Sequence, residues 1–141
     1  MELINTFEIN INFIVVDDDS VNNLICRKVI RHVFPKADVV TFTNPETALT
    51  YITSAYTDST GNETILLLDL NMPILSGWDF LEVFDDFDDN IKEQIKIYIL
   101  SSSIDQNDKD CAASNKNISA YIEKPLTKEI IRKLVFKLLH V

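Results

Sequence analysis

Five short apolar runs punctuate this chain, and between them the apolar residues switch to a helical spacing. The runs are Ile11 to Val16, Asp38 to Phe42, Ile65 to Leu68, Lys96 to Leu100 and Ala120 to Glu123. Runs of β-branched and aromatic residues such as Ile14-Val15-Val16 read as buried strands. Parallel strands need crossover connections, and these are right-handed when they return to the same sheet. Strand and helix in strict alternation therefore predict an α/β domain with a parallel sheet and helices on both faces.

The intervening segments supply the helices. Ser20 is placed to cap a first helix carrying Val21, Leu24-Ile25, Val29 and Val33, stopped by Pro35. Asn44-Pro45-Glu46 is a cap followed by proline at the first helical position. The second helix bears Ala48, Leu49 and Ile52 and gives way to a loop from Tyr56 to Asn62. Pro73 and Gly77 shape a loop before a third helix with Phe80-Leu81, Phe84 and Phe87, and Gly77 permits a positive φ that other residues resist, as structural support. A weak helix spans Gln106 to Ser114. The last helix, capped by Thr127, carries Ile130-Ile131, Leu134-Val135 and Leu138-Leu139. Five βα units fit a doubly wound, flavodoxin-like sheet of order 2-1-3-4-5, with the first and third strands adjacent at the switch point.

Composition narrows the rest. A length of 141 residues is that of one domain, and 2 Gly and 4 Pro leave no room for a low-complexity linker. No apolar stretch approaches the roughly 18 to 20 residues that span a bilayer, and Met1 to Thr6 lacks a basic region followed by an apolar one. The expected setting is cytoplasmic, without membrane contact. Cys26 and Cys111 match no metal spacing and read as free thiols. A net charge of −9 argues against direct nucleic-acid binding.

What the strands carry at their carboxyl ends is chemical. The first ends in Asp17-Asp18-Asp19, the third in Asp69, the fourth in Ser101 and the fifth in Lys124-Pro125. Ligands of open α/β sheets bind beyond those ends. Clustered carboxylates repel one another unless something cationic sits between them, so Asp17, Asp18 and Asp69 point to a divalent metal and a phosphoryl group.

The motifs Val15-Val16-Asp17-Asp18-Asp19, Leu68-Asp69-Leu70-Asn71-Met72-Pro73 with Gly77, Leu100-Ser101-Ser102 and Glu123-Lys124-Pro125 resemble the receiver domain of two-component response regulators. The resemblance implies an extension over residues 1–10 and a receiver domain over 11–141. It implies that Asp69 is the phosphoacceptor, attacking a phosphohistidine or acyl phosphate. Mg²⁺ (or Mn²⁺) would be held by Asp17, Asp18, Asp69 and the main-chain carbonyl of Asn71, neutralising the charge that builds between two anions. Lys124 would bring an ammonium and Ser101 a hydroxyl to the phosphoryl oxygens, with Ser101 and Tyr121 forming a switch in which Tyr121 turns inward. Pro125 would follow a cis bond, and Asp19 would lie outside the metal pocket. Implied partners are a histidine kinase or histidine phosphotransfer protein and a downstream protein target. The expected protein is a stand-alone regulator, monomer or weak dimer, and not an enzyme in its own right.

Rival readings are weaker. A phosphohydrolase using an aspartyl-phosphate places two aspartates two apart, as at Asp17 and Asp19, but Ser20-Val21-Asn22 lacks the Gly or Thr that should follow. A receiver-like interaction module that is never phosphorylated does not need the intact set Asp17, Asp18, Asp69, Ser101 and Lys124. A flavodoxin-like nucleotide carrier would have its phosphate repelled by Asp17 to Asp19. The acids Asp85-Asp86 and Asp88-Asp89 read as a solvated, fraying end of the third helix. His32, His140 and Trp78 receive no chemical role.

Overall fold

The structure is a computed structural model describing residues 11–58 and 63–139. The 1–10 extension, His140 and part of the 56–62 loop fall outside the described residues. The strands are β1 (Ile11–Val16), β2 (Asp38–Phe42), β3 (Glu63–Leu68), β4 (Ile95–Ser101) and β5 (Ile118–Glu123). The helices are α1 (Ser20–Val33), α2 (Pro45–Ala55), α3 (Gly77–Asp85), α4 (Asp89–Lys92), α5 (Gln106–Ser114) and α6 (Lys128–Leu139). All strand pairs are parallel and the sheet order is β2-β1-β3-β4-β5, as the sequence predicts.

Each face of the sheet has its own core, because successive strand residues point to opposite sides. Ile14, Val16, Leu66, Leu68, Ile97 and Ile99 pack against α2, α3 and α5. Phe13, Val15, Ile65, Leu67, Tyr98 and Leu100 pack against α1 and α6. Burial on both faces is the reason these runs are continuously apolar. The register pairs Val16 with Leu68, so the two chain segments that follow, beginning at Asp17 and Asp69, leave the sheet side by side.

Several local expectations are corrected. Asp19, not Ser20, caps α1: its Oδ1 accepts from the N–H groups of Val21 at 2.9 Å and Asn22 at 3.4 Å. The helix begins one residue earlier than expected, at Ser20, and a carboxylate also suits the positive helix end. The buried stripe of α1 is Asn23, Cys26 and Ile30, whereas Val21, Leu24 and Ile25 are exposed. Asn23 turns that face inward, donating its side-chain amide to the carbonyls of Asp17 at 2.9 Å and Phe42 at 3.3 Å. The third helix ends at Asp85, and Phe87 lies in a turn before the separate α4. Lys92 closes that turn, bonding the Asp85 carbonyl at 2.9 Å and lying 3.7 Å from the carboxylates of both Asp85 and Asp89. The acids therefore straddle a cross-linked break, not a frayed end. Strands β3 and β5 each start two residues earlier than their apolar runs.

Gly77 is required for a different reason than expected. It has no positive φ; it opens α3, and its N–H donates to the Leu70 carbonyl at 3.0 Å. A Cβ there would stand 2.6 Å from the Asp69 carbonyl oxygen and 2.8 Å from the Leu70 Cα. The demand is for close backbone approach. The remaining caps follow expectation: Asn44 accepts from Glu46 and Thr47 N–H groups, and Thr127 Oγ1 from Ile130 N–H at 3.2 Å.

Candidate functional site

Four strand ends meet at one edge. Asp17 follows β1 and is buried, with every oxygen engaged. Its Oδ1 accepts from the Asp19 N–H at 2.9 Å, and its Oδ2 accepts from Asn22 Nδ2 and from Lys124 Nζ, both at 2.8 Å. Asp69 follows β3, is only 6% exposed, and is held by its own N–H donating to the Val16 carbonyl at 3.0 Å. The Asn71 N–H reaches its Oδ1 at 3.4 Å, and Lys124 Nζ lies 3.8 Å from its Oδ2. Asp18 points to solvent, and oxygens of Asp17, Asp18 and Asp69 lie within 4.8 Å of one another. Asp85, Asp86, Asp88 and Asp89 form no comparable set among the described residues.

The β4 and β5 ends complete the pocket. Ser101 is buried, and its Oγ accepts from the Ser103 N–H at 3.2 Å. The Lys124 N–H donates to the Ser101 carbonyl at 3.0 Å, tying the two strand ends together, and the Lys124-Pro125 bond is cis. Tyr121 is half-buried against the α3-side core and its hydroxyl donates to the Ser103 carbonyl at 2.7 Å. Lys109 lies over its ring, 5.8 Å from the centroid, and pairs with Glu123.

The electrostatics follow from this packing. Burial is the main cause that raises the Asp69 pKa; Asp17 and Asp18 add to it, against Lys124 and the Asn71 N–H. Burial pulls Lys124 down, but its hydrogen bond to Asp17 and the charges of Asp17 and Asp69 more than offset that, and its net shift is upward. The pocket therefore keeps a permanent ammonium between two carboxylates. Burial, with help from Asp17, pushes the nearby Cys26 up to about 12, so it is a neutral thiol and not a thiolate ligand. A donor set made only of carboxylate oxygens suits a hard cation of the Mg²⁺ or Mn²⁺ kind.

Asp17, Asp18, Asp69, Ser101 and Lys124, singled out by their places at strand ends, share this edge. Asn71 stands beside Asp69 through its N–H, and Asp19 is occupied as a cap outside the trio. His32 is exposed in the last turn of α1. Sequence reasoning missed Asn22, Asn23 and Lys109, whereas Ser103, expected to flank the site and bear on water access, does stand beside Ser101. The signal available for the two asparagines was a pair of side-chain amides in the helix turn that follows the acids.

Fold and pocket together define a doubly wound α/β domain with a cluster of three acids at its switch point and an ammonium bonded to Asp17 and 3.8 Å from Asp69. The family profile of the response regulator receiver domain matches residues 13–136, and the chain belongs to that family of two-component signalling proteins. In structure it is similar to a two-component response regulator from Cytophaga hutchinsonii (24% identity, TM-score 0.84, covering 95% of this chain and 100% of that one). It is also similar to a response regulator receiver protein from Dyadobacter fermentans (26% identity, TM-score 0.83, covering 92% and 98%). A chemotaxis response regulator from Vibrio cholerae shares the fold at 18% identity and a TM-score of 0.67, covering 92% and 98%. No curated protein is a significant match. Receiver domains bind Mg²⁺ at an acidic pocket, and this chain has its carboxylate trio there. Among the described residues no helix is long and apolar enough to cross a membrane.

Proposed function

We propose that Asp69 accepts a phosphoryl group from a phosphohistidine of a histidine kinase or phosphotransfer protein, and that the change is passed to a protein target through α5, β5 and α6. The observation that carries this reading is Asp69 itself: a buried carboxylate facing two other acids with an ammonium 3.8 Å away. An Asp69 carboxylate oxygen attacks phosphorus, the new O–P bond forms as the P–N bond breaks, and the leaving imidazole keeps the electron pair and takes a proton from solvent. A divalent ion held by Asp17, Asp18, Asp69 and the Asn71 carbonyl would neutralise charge between acceptor and phosphoryl oxygens. Lys124 adds a second positive charge, and Ser101 directs a hydroxyl toward the same oxygens. Val21, Leu24 and Ile25 leave an apolar patch on α1 just beyond the acids, which supports a protein as the donor. The direct test is incubation with Mg²⁺ and a small acyl phosphate, read by intact mass. One added phosphoryl group on Asp69 is expected, and none under any divalent ion defeats the reading.

Mg²⁺ should stabilise the fold, because the trio is assembled only when the chain is folded. Saturation at a hundred times the dissociation constant is worth about 2.7 kcal/mol. Asp18→Asn should weaken that response while sparing the core, since Asp18 is exposed. A melting temperature indifferent to millimolar Mg²⁺ at low salt is the adverse result.

Signalling is proposed to run through Ser101. Its Oγ holds the Ser103 N–H, and the Ser103 carbonyl holds Tyr121, so a phosphoryl group drawing on the Ser101 hydroxyl pulls on the same short chain of bonds. Tyr121 is already bonded to Ser103 here, so the proposed switch alters how firmly that bond is held and does not need a swing from an outward position. Couplings of this kind are typically about 1–3 kcal/mol. Ser101→Ala should still be phosphorylated, but amide exchange over residues 101–125 should no longer respond to beryllofluoride. An unchanged response in that variant removes Ser101 from the relay.

A further inference from the structure

Oδ2 of Asp17 accepts two hydrogen bonds at 2.8 Å, one from the ammonium of Lys124 and one from the side-chain amide of Asn22. The two donors differ in kind. Lys124 carries charge on a flexible stem and stands only 3.8 Å from Asp69, within reach of either carboxylate. Asn22 is neutral and anchored. It sits in the first turn of α1, whose start is capped by Asp19, and the next residue ties the helix to the Asp17 and Phe42 carbonyls. Its amide also lies 3.7 Å from the Cys26 sulfur.

We propose that Asn22 is a positioning residue for the cation site, holding the Asp17 carboxylate in place through Oδ2 when Lys124 turns to Asp69. A carboxylate oxygen offers two lone pairs. If Lys124 were the only partner of Oδ2, its departure would leave that oxygen unrestrained, and its presence would set an ammonium against any incoming cation. An amide donor fixes the same oxygen without positive charge, leaving the second lone pair for a metal. Partners of metal-ligating carboxylates typically change affinity 10- to 100-fold when removed. This inference rests on the proposed role of Asp17 as a cation ligand.

The test is calorimetric titration of the unphosphorylated chain with MgCl₂, for the wild type, Asn22→Ala and Asn22→Met. Rates of phosphorylation by a small acyl phosphate are then measured across Mg²⁺ concentration. Both variants are expected to raise the Mg²⁺ dissociation constant about tenfold, with the rate at saturating Mg²⁺ within about twofold of wild type. Melting of the metal-free proteins reports whether each variant is folded. Asn22→Met fills the same space without a donor, so wild-type affinity in that variant shows that packing sets the site and overturns the proposal. Unchanged affinity in both, or a loss of saturating rate with affinity intact, overturns it as well. A wild type that binds no Mg²⁺ defeats the reading of the pocket itself, which separates the two failures.

Discussion

Asp69→Asn abolishes phosphoryl incorporation and, in the metal-free protein at neutral pH, raises the melting temperature. The first effect is the loss of the nucleophile: an amide oxygen of the same shape carries no charge with which to attack phosphorus. The second follows from the setting of Asp69, buried and facing Asp17 and Asp18, where its pKa is raised despite Lys124 at 3.8 Å. A carboxylate whose folded pKa lies above its unfolded value binds its proton more tightly when folded. Stability from this group is therefore full below the ordinary carboxylate range and is lost as pH rises through the folded value. Above that value the wild type carries an unfavourable charge that the amide lacks. A gain on the order of 1 kcal/mol, or about 3–4 °C for a domain of this size, is expected with chelator present. The advantage should shrink as pH falls and Asp69 becomes protonated. Intact mass and melting curves across pH decide both halves: undiminished phosphorylation moves the nucleophile elsewhere, and a lower melting temperature contradicts the electrostatics.

Gly77→Ala acts in the opposite direction. Helix propensity alone favours alanine over glycine by about 1 kcal/mol at an interior helical position. Gly77 begins α3, but its missing side chain faces the Asp69 carbonyl oxygen at 2.6 Å and the Leu70 Cα at 2.8 Å. Both neighbours are backbone and cannot rotate away, so the helix start or the acceptor loop must move. Overpacking of this kind costs about 1–3 kcal/mol. A net loss of about 2 kcal/mol corresponds to a fall of about 6–8 °C in melting temperature for a domain of this size. Because the displaced peptide is that of Asp69, phosphorylation should slow as well. Asp69→Asn thus separates chemistry from folding, while Gly77→Ala couples them. A Gly77→Ala protein as stable as wild type would mean that the close approach is easily relieved.

Individual residues show where legibility stops. Ile11–Val16 is legible to the residue because Asn10 and Asp17 bound it in the chain itself, and Asp38–Phe42 because it opens on a charged residue and stops before Thr43. β5 was read two residues short because Ile118-Ser119 is interrupted by an exposed polar position at the sheet edge. The apolar spacing of α1 does not mark its buried face, for Val21, Leu24 and Ile25 are exposed. Asn23 occupies that face instead, for the sake of two carbonyls that only the folded β1 and β2 bring near. Gly77 uses a freedom other than the positive φ that glycine permits, since nothing in Ser76-Gly77-Trp78 announces that the Asp69 peptide passes within 2.6 Å of a would-be Cβ.

The sequence by itself determined the alternation of strands and helices, the parallel sheet and its order, and the polar residue at each strand end. These are properties of short stretches: apolar runs, helical spacing and the residue at which each run stops. Only the tertiary structure decided that Lys124 lies nearer Asp17 than Asp69, and that Asn22 shares the same oxygen. It also decided that Asp18 stays in solvent and that Tyr121 is held by Ser103. The physical reason is distance along the chain. Periodicity reports which way a residue faces within its own element, whereas partners in a pocket come from strands far apart in sequence, and whether an ammonium stands 2.8 or 3.8 Å away sets the charge each carboxylate feels.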